Sequence, residues 1–387
     1  MHSPRAESAR LISWFCDAHS RSRPPQHALQ ARDHWLNLAG AIQAPRPALE
    51  AALLAVAFVK WSTVQRDLGL RHYGRKHYLQ SLSLTQTALS RQADAISDDI
   101  LATTCVMVFY ELTDSTSQRS DSWLEHVSGL GKLICLRGPE SFSRPLSRAI
   151  FEQMRLIFML QHLMKRTSCI FGRSDWLELP WRGVTKAMEQ QVFDQGLRLT
   201  TLLERSDSTS TGECLPLDIE SLFQSCIDVY DILSLMDTQL DCDTCTVDTH
   251  VSMDSSSRVM DPEALLLSIT VVGIQLGAAM SAHELLCAVE RFTAQSDSLV
   301  PSFSPAIVHK AKELSGDRKN LARRILRSVE LRMSTNARAL ALLRTDWALQ
   351  LATQHFQRTD LEAQHCAAMR TILSERTSPF DALRTPQ

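Results

Sequence analysis

Two pairs of aspartates have the spacing that metal chemistry uses. Asp98 and Asp99 sit side by side at the start of an apolar helical run that later carries Glu111, and Asp228 and Asp231 lie three residues apart on another helical run. Residues at i and i+3 share a helix face, so Asp228 and Asp231 present their carboxylates together. Hard cations take oxygen ligands, and two carboxylate walls could hold Mg²⁺ against a diphosphate. Plain helix capping accounts for Asp98 and Asp99 as well, because carboxylates favour a helix N-terminus. Cys242-x-x-Cys245, with Asp241, Asp243, Asp248 and His250 around it, has no second cysteine pair to complete a structural zinc site and reads as loop without function. Lys319, Arg323, Arg324 and Arg327 form a basic stripe that reads as a solvated helix face, with a phosphate-facing patch as the alternative.

An all-helical body holding Mg²⁺ and a diphosphate resembles the design of class I terpene cyclases. That resemblance would make Asp98, Asp99, Asp228 and Asp231 catalytic, with Mg²⁺ held by Asp98 and Asp99. The aspartate-rich motif of that family is incomplete here, since Ala102 stands where the third Asp belongs, and the Asn-Ser-Glu partner motif is missing. No nucleophile elbow, P-loop, dinucleotide-binding glycine pattern or His-Glu-x-x-His motif occurs. No other cofactor is expected.

Composition narrows the classes further. The chain has 387 residues, 44% hydrophobic and 22% charged, which are ordinary values for folded domains and argue against disorder. A net charge of -2 is not that of a basic nucleic-acid binder, and no direct binding of nucleic acid is expected. The ten cysteines are scattered, mostly in apolar runs, and no apolar run follows the polar start, so free thiols in a reducing compartment are expected. The apolar run Ala264 to Met280 is short for a bilayer span and carries Ser268, Thr270, Gly273 and Gln275. It reads as a buried core helix, and no membrane association is expected.

Apolar residues recur at three and four, and alternating β-branched runs are absent. Leu49, Leu53, Val56 and Val59 follow this spacing behind Pro47, which suits the first turn of a helix. Further helices are predicted over 71–91, 97–113 with Ser97 as N-cap, 122–136, 145–169, 185–203, 219–240, 262–293, 304–314, 317–358 and 361–374. Gly138-Pro139 stops the helix over 122–136. The reading is an all-α fold of roughly a dozen helices with no sheet. Asp241 to Met260 is rich in Asp, Ser and Thr and reads as a flexible loop.

The segment from Ala48 to Trp181 carries an ordered series of landmarks. It begins with Asp98-Asp99-Ile100-Leu101-Ala102-Thr103 and Tyr110-Glu111-Leu112, and continues with Trp123, Leu124, His126, Gly129 and Leu133. Arg137-Gly138-Pro139, Lys165-Arg166, Phe171, Trp176 and Leu179-Pro180-Trp181 complete it. In this order the series resembles the fungal-specific transcription factor domain, the regulatory body of fungal zinc-cluster regulators. Physically, Gly129 is expected to allow close helix contact, His126 to be a satisfied, partly buried histidine, and Leu179-Pro180-Trp181 to be an extended corner that plugs an indole into the core.

The six-cysteine basic stretch through which such regulators bind DNA is missing from the sequence, where Cys16 stands alone near the start. The expected organisation is a helical extension over 1–47, a transcription-factor-like body over 48–240, the loop over 241–260, and a C-terminal helical part over 261–387 packing on the body. The resemblance implies a regulator-like protein, nuclear rather than cytoplasmic, controlling a metabolic gene cluster. Such a protein would act as a homodimer, as a heterodimer with a DNA-binding regulator, or by binding a small-molecule effector.

Overall fold

The computed structural model describes residues 4–21, 35–42, 45–113, 122–211, 218–246, 262–295, 304–333, 339–357 and 360–377. It is all-α, with no strand among the described residues. The chain divides into two compact units, the first formed by Met1–Arg155 and Ser174–Thr185, the second by Leu156–Arg173 and Lys186–Ser378.

In the first unit, α1 (Pro4–Arg21) and α2 (Trp35–Gly40) precede a central helix, α3 (Pro47–Gln65). Pro47 sits in the first turn of α3, and Leu49, Leu53, Val56 and Val59 are fully buried, as their spacing predicts. Next come α4 (Leu68–Leu89), α5 (Gln92–Ala95), α6 (Asp98–Thr113) and α7 (Ser122–Arg137). Helix α3 packs against α1, α4 and α6, and a helix covered on several sides reads as apolar all round. Ser97 caps α6 by accepting from the Ile100 amide at 3.4 Å. Gly138 ends α7 with φ at 73°, a left-handed conformation that favours glycine.

Helix α8 (Pro145–Lys165) gives its first part to the first unit and its last part to the second. It is four residues shorter than its apolar pattern suggests, because Arg166 turns left-handed at φ 50°. The first unit is completed by α9 (Ser174–Glu178) and a 3-10 turn over Leu179–Trp181. That turn corrects the extended corner. A proline in the first turn of a helix removes an amide that has no partner there anyway, so Pro180 fits a single tight turn, closed by the Arg182 amide donating to Leu179. Gly129 is a second correction, since a Cβ there would meet nothing within 4 Å and close contact does not require the glycine.

The second unit holds α10 (Met188–Thr211), α11 (Ile219–Thr246), α12 (Pro262–Gln295), α13 (Pro305–Met333), α14 (Ala339–Thr353) and α15 (Leu361–Thr377). Helix α12 packs against α10, α11, α13 and α14. By length and composition Glu263–Ala294 and Pro47–Gln65 could each cross a membrane, yet 83% and 61% of their apolar windows are buried inside the protein. They are the central helices of their units. Helix α13 runs straight through Gly316, where the sequence suggested two helices; a Cβ there would touch nothing, so the glycine only lowers helix propensity. Helix α11 reaches Thr246, into the stretch read as a loop, and residues 247–260 lie outside the described ones.

Helices α10 and α12 run side by side in the same direction. A Cβ on Gly196 would meet Ile274, a Cβ on Gly277 would meet Leu199, and Ser206 donates to Glu284, all at the same spacing of 78 residues. This constant register aligns their side chains level by level.

Candidate ligand-binding site

The four aspartates singled out by spacing have partners of their own. Asp98 accepts from the Arg137 guanidinium and from Ser147 Oγ at 2.8 Å, with Arg144 at 3.8 Å. Burial pushes the Asp98 carboxyl up, but the hydrogen bonds from Arg137 and Ser147 and the charges of Arg137 and Arg144 hold it below its ordinary value. Asp99 accepts from the Arg46 amide at 3.2 Å. Capping alone is thus an incomplete account of this pair, which ties α6 to distant arginines. In the second unit, exposed Asp228 accepts from Gln224 at 2.7 Å, and exposed Asp231 stands 3.8 Å from Lys310. Among the described residues no group of three or more His, Cys, Asp or Glu side chains is arranged to hold a metal. Two carboxylates already engaged by arginines and Ser147 are a poor donor set for Mg²⁺.

The basic stripe is largely neutralised. Lys319 pairs with Asp360 at 3.7 Å, Arg323 with Glu362 at 3.2 Å, and Arg324 with Asp237. Cys242 and Cys245 fall in the last turns of α11, while Asp248 and His250 lie outside the described residues.

The landmarks of the first unit converge. Phe142, Phe151, Trp176 and Trp181 form one aromatic cluster, with neighbouring ring centroids 5.3 to 5.9 Å apart. Arg137 lies over Phe142, and buried Arg155 lies over Phe151 and Trp181. Trp181 Nε1 donates to Glu152 at 3.1 Å. The cluster buries aromatic area and stacks cations on ring faces, which makes it structural. Trp123 is likewise buried, and Pro180 is buried within its turn. His126 behaves as expected of a satisfied histidine: its Nε2 lies 2.7 Å from Tyr78 Oη, which also donates to Glu111 at 2.5 Å. Burial lowers its pKa, with Glu111 and Glu125 acting in the opposite direction.

The second unit carries a partly open cleft of about 300 Å³, at the lower end of small-molecule sites. The end of α8 and one face each of α10, α12 and α14 line it. Each long helix offers residues one turn apart, graded from apolar to polar. Helix α10 gives Leu199, Leu203 and Asp207; α12 gives Gly277, Met280 and Glu284; α14 gives Trp347 and Leu351, with Gln354 just past its end. The shared register of α10 and α12 places Leu199 beside Gly277 at the apolar end and Ser206 beside Glu284 at the polar end.

Arg166 organises the polar end. Its Nη2 and Nε hold Asp207 in a fork at 2.6 and 2.7 Å, and Nη2 also reaches Glu284 at 2.7 Å. Ser206 donates to the same Glu284 oxygen at 2.8 Å. Burial opposes the Arg166 charge, but Asp207 and Glu284 outweigh it and raise the guanidinium further above its ordinary value. Arg166 adopts the position usually given to glycine: its amide bonds Leu163, and the Thr167 amide bonds His162, a glycine-type helix stop built on an arginine. The arrangement is an apolar slot closed by two carboxylates and one guanidinium. Sequence reading missed it. Arg166 entered only as a landmark, and its partners lie on helices far apart in the chain. The one signal available was the Leu199-Leu203-Asp207 progression on a single helix face.

The chain is 29% identical over 152 residues to an uncharacterized protein of Emericella nidulans, a match covering 38% of this chain and 30% of that protein. It thus spans under a third of the relative's length. No solved structure matches. The family model described as fungal specific transcription factor domain matches residues 21–257, so it takes in the cavity walls on α8 and α10 but not those on α12 and α14. With more than half of its residues matched by that model, the chain belongs to the fungal specific transcription factor domain family.

Proposed function

We propose that the chain is the regulatory body of a fungal transcription regulator, acting in the nucleus on a metabolic gene set, with its output set by a small molecule held in the helical body. The observation that carries this reading is the family match, together with the convergence of its landmarks on one aromatic and arginine cluster. In this reading DNA contact comes from a module outside these 387 residues, carried by a dimer partner. The ion pairing of Lys319, Arg323 and Arg324 supports it, because a duplex-binding face needs clustered, available cations. The regulator reading is preferred to the cyclase alternative because each of the four aspartates already faces a cation or a hydrogen-bond donor within the protein. Deleting the gene and profiling transcripts tests the proposal. A coordinated change in a metabolic gene set is expected. Unchanged transcripts with accumulation of a metabolic intermediate would overturn it.

A further inference from the structure

The cavity of the second unit has features that packing alone does not require. Helices α8, α10, α12 and α14 leave a partly open cleft of about 300 Å³ between them, within the range of small-molecule sites. The floor is shaped by close approach: a Cβ on Gly277 would stand 2.6 Å from Leu199 Cδ2. The rim carries a non-glycine residue in a left-handed conformation, Arg166 at φ 50°. Such backbone costs about 1–2 kcal/mol. The Arg166 side chain that it carries is held by Asp207 and Glu284. Beside the cavity, the buried amide oxygen of Gln350 has no hydrogen-bond partner among the described residues.

The charges of the rim select the head group. Asp207 and Glu284 together carry two negative charges against the one positive charge of Arg166, whose guanidinium is already committed to both. An anionic head would meet the excess carboxylate charge with no available cation among the lining residues. A cationic or hydroxyl head can donate to Asp207 and Glu284, while an alkyl or ring body lies along Leu203, Met280 and Trp347.

We infer that this cavity binds a small amphipathic molecule with an apolar body and a cationic or hydrogen-bond-donating head, and that it discriminates against the matching carboxylate. The inference rests on the proposed reading of the helical body as ligand-responsive, but it fails separately. The probes are decylammonium, 1-decanol and decanoate, which share a tail and differ in head. They are titrated below their micelle concentrations into the full chain, by calorimetry and thermal shift. Decylammonium and decanol should bind and raise Tm, with decanoate weaker than decylammonium by at least about tenfold. Glu284→Gln removes one rim charge while keeping hydrogen-bonding atoms, and should narrow the amine-to-carboxylate ratio by about threefold or more. Leu203→Trp should fill the slot and abolish binding of all three. If that variant fails to fold, Glu284→Gln alone decides. Absence of binding by every probe, decanoate binding within tenfold of the amine, or binding that ignores Glu284→Gln would overturn the inference. A flat transcript profile after gene deletion would overturn the regulator reading and leave the binding series standing.

Discussion

The guanidinium of Arg155 lies 4.6 Å from the ring centroid of Trp181, and both side chains are buried. A second ring, Phe151, flanks the same guanidinium at 5.8 Å. The indole thus fills core volume, offers a face to a buried cation and donates to Glu152. Truncating a buried Trp to Ala costs about 3–5 kcal/mol, and losing the cation contact adds to it. Trp181→Ala should therefore give a strongly destabilised or insoluble protein, while Trp181→Phe, which keeps a ring, should lose less. Denaturant midpoints check both. An unchanged midpoint for Trp181→Ala would show that the indole is not core.

Asp98 provides a second test. The Arg137 side chain is only 4% exposed, and Asp98 is its partner with Ser147 as a third member. Asp98→Ala leaves a buried guanidinium without its carboxylate, at about 2–3 kcal/mol after allowing for the partial exposure of Asp98. The folded-state pKa of Asp98 lies below its ordinary value. Its contribution is therefore full above the unfolded value and is lost as pH falls through about 4 and below. Wild-type stability should drop in that window, and Asp98→Ala should flatten the drop. Chemical denaturation between pH 3 and 6 measures the difference.

His355 should act at higher pH. Burial draws its pKa down to about 4, with the charges of Arg318 and His283 adding to the effect. The unfolded chain then takes up a proton near pH 6.5, whereas the folded chain resists until much lower pH. Stability should decline as pH falls from about 7 toward 4. His355→Gln should remove part of that slope. Urea unfolding of the two proteins at pH 7 and pH 5 tests this, and equal slopes would count against it.

The helices were legible because their signals are local. Pro47, Ser97 and Gly138 mark ends that the structure reproduces, and Leu49, Leu53, Val56 and Val59 bury the face that their spacing defines. Misreadings arose where context overrides a local rule. Gly316 does not break α13, and Pro180 sits inside a 3-10 turn instead of an extended segment. Chain order hides the division into units, since Ser174–Thr185 returns to the first unit after an excursion through the second. The site was hidden for the same reason. Adjacent aspartates look like ligands in sequence, yet their partners Arg46 and Arg137 lie on other elements. Arg166, Asp207 and Glu284 meet only because α10 and α12 share a register that no local pattern encodes.

Arg66 and Arg166 allow the last prediction, because they share a backbone conformation and differ in what the side chain does. Arg66 ends α3 at φ 55°, with the Asp67 amide bonded to Ser62, and its side chain is exposed. Arg166 ends α8 at φ 50°, with the Thr167 amide bonded to His162, and its guanidinium joins Asp207 to Glu284. Glycine relieves left-handed strain at either position, less the entropy it adds to the unfolded chain. At Arg66 little else changes, so Arg66→Gly should stabilise the protein by about 0.5–1 kcal/mol. At Arg166 the same relief is opposed by leaving two half-buried carboxylates facing each other without a cation. Loss of a charged hydrogen-bonding partner costs about 1.5–3 kcal/mol, which exceeds the backbone gain. Arg166→Gly should therefore destabilise, and Arg166→Lys should lie between, since an ammonium keeps the charge but not the fork. Denaturant midpoints of the three variants decide the matter. If Arg166→Gly gained stability as Arg66→Gly does, the rim would be a surface ion pair of no consequence, and the conformation of Arg166 would have to be explained without its carboxylates.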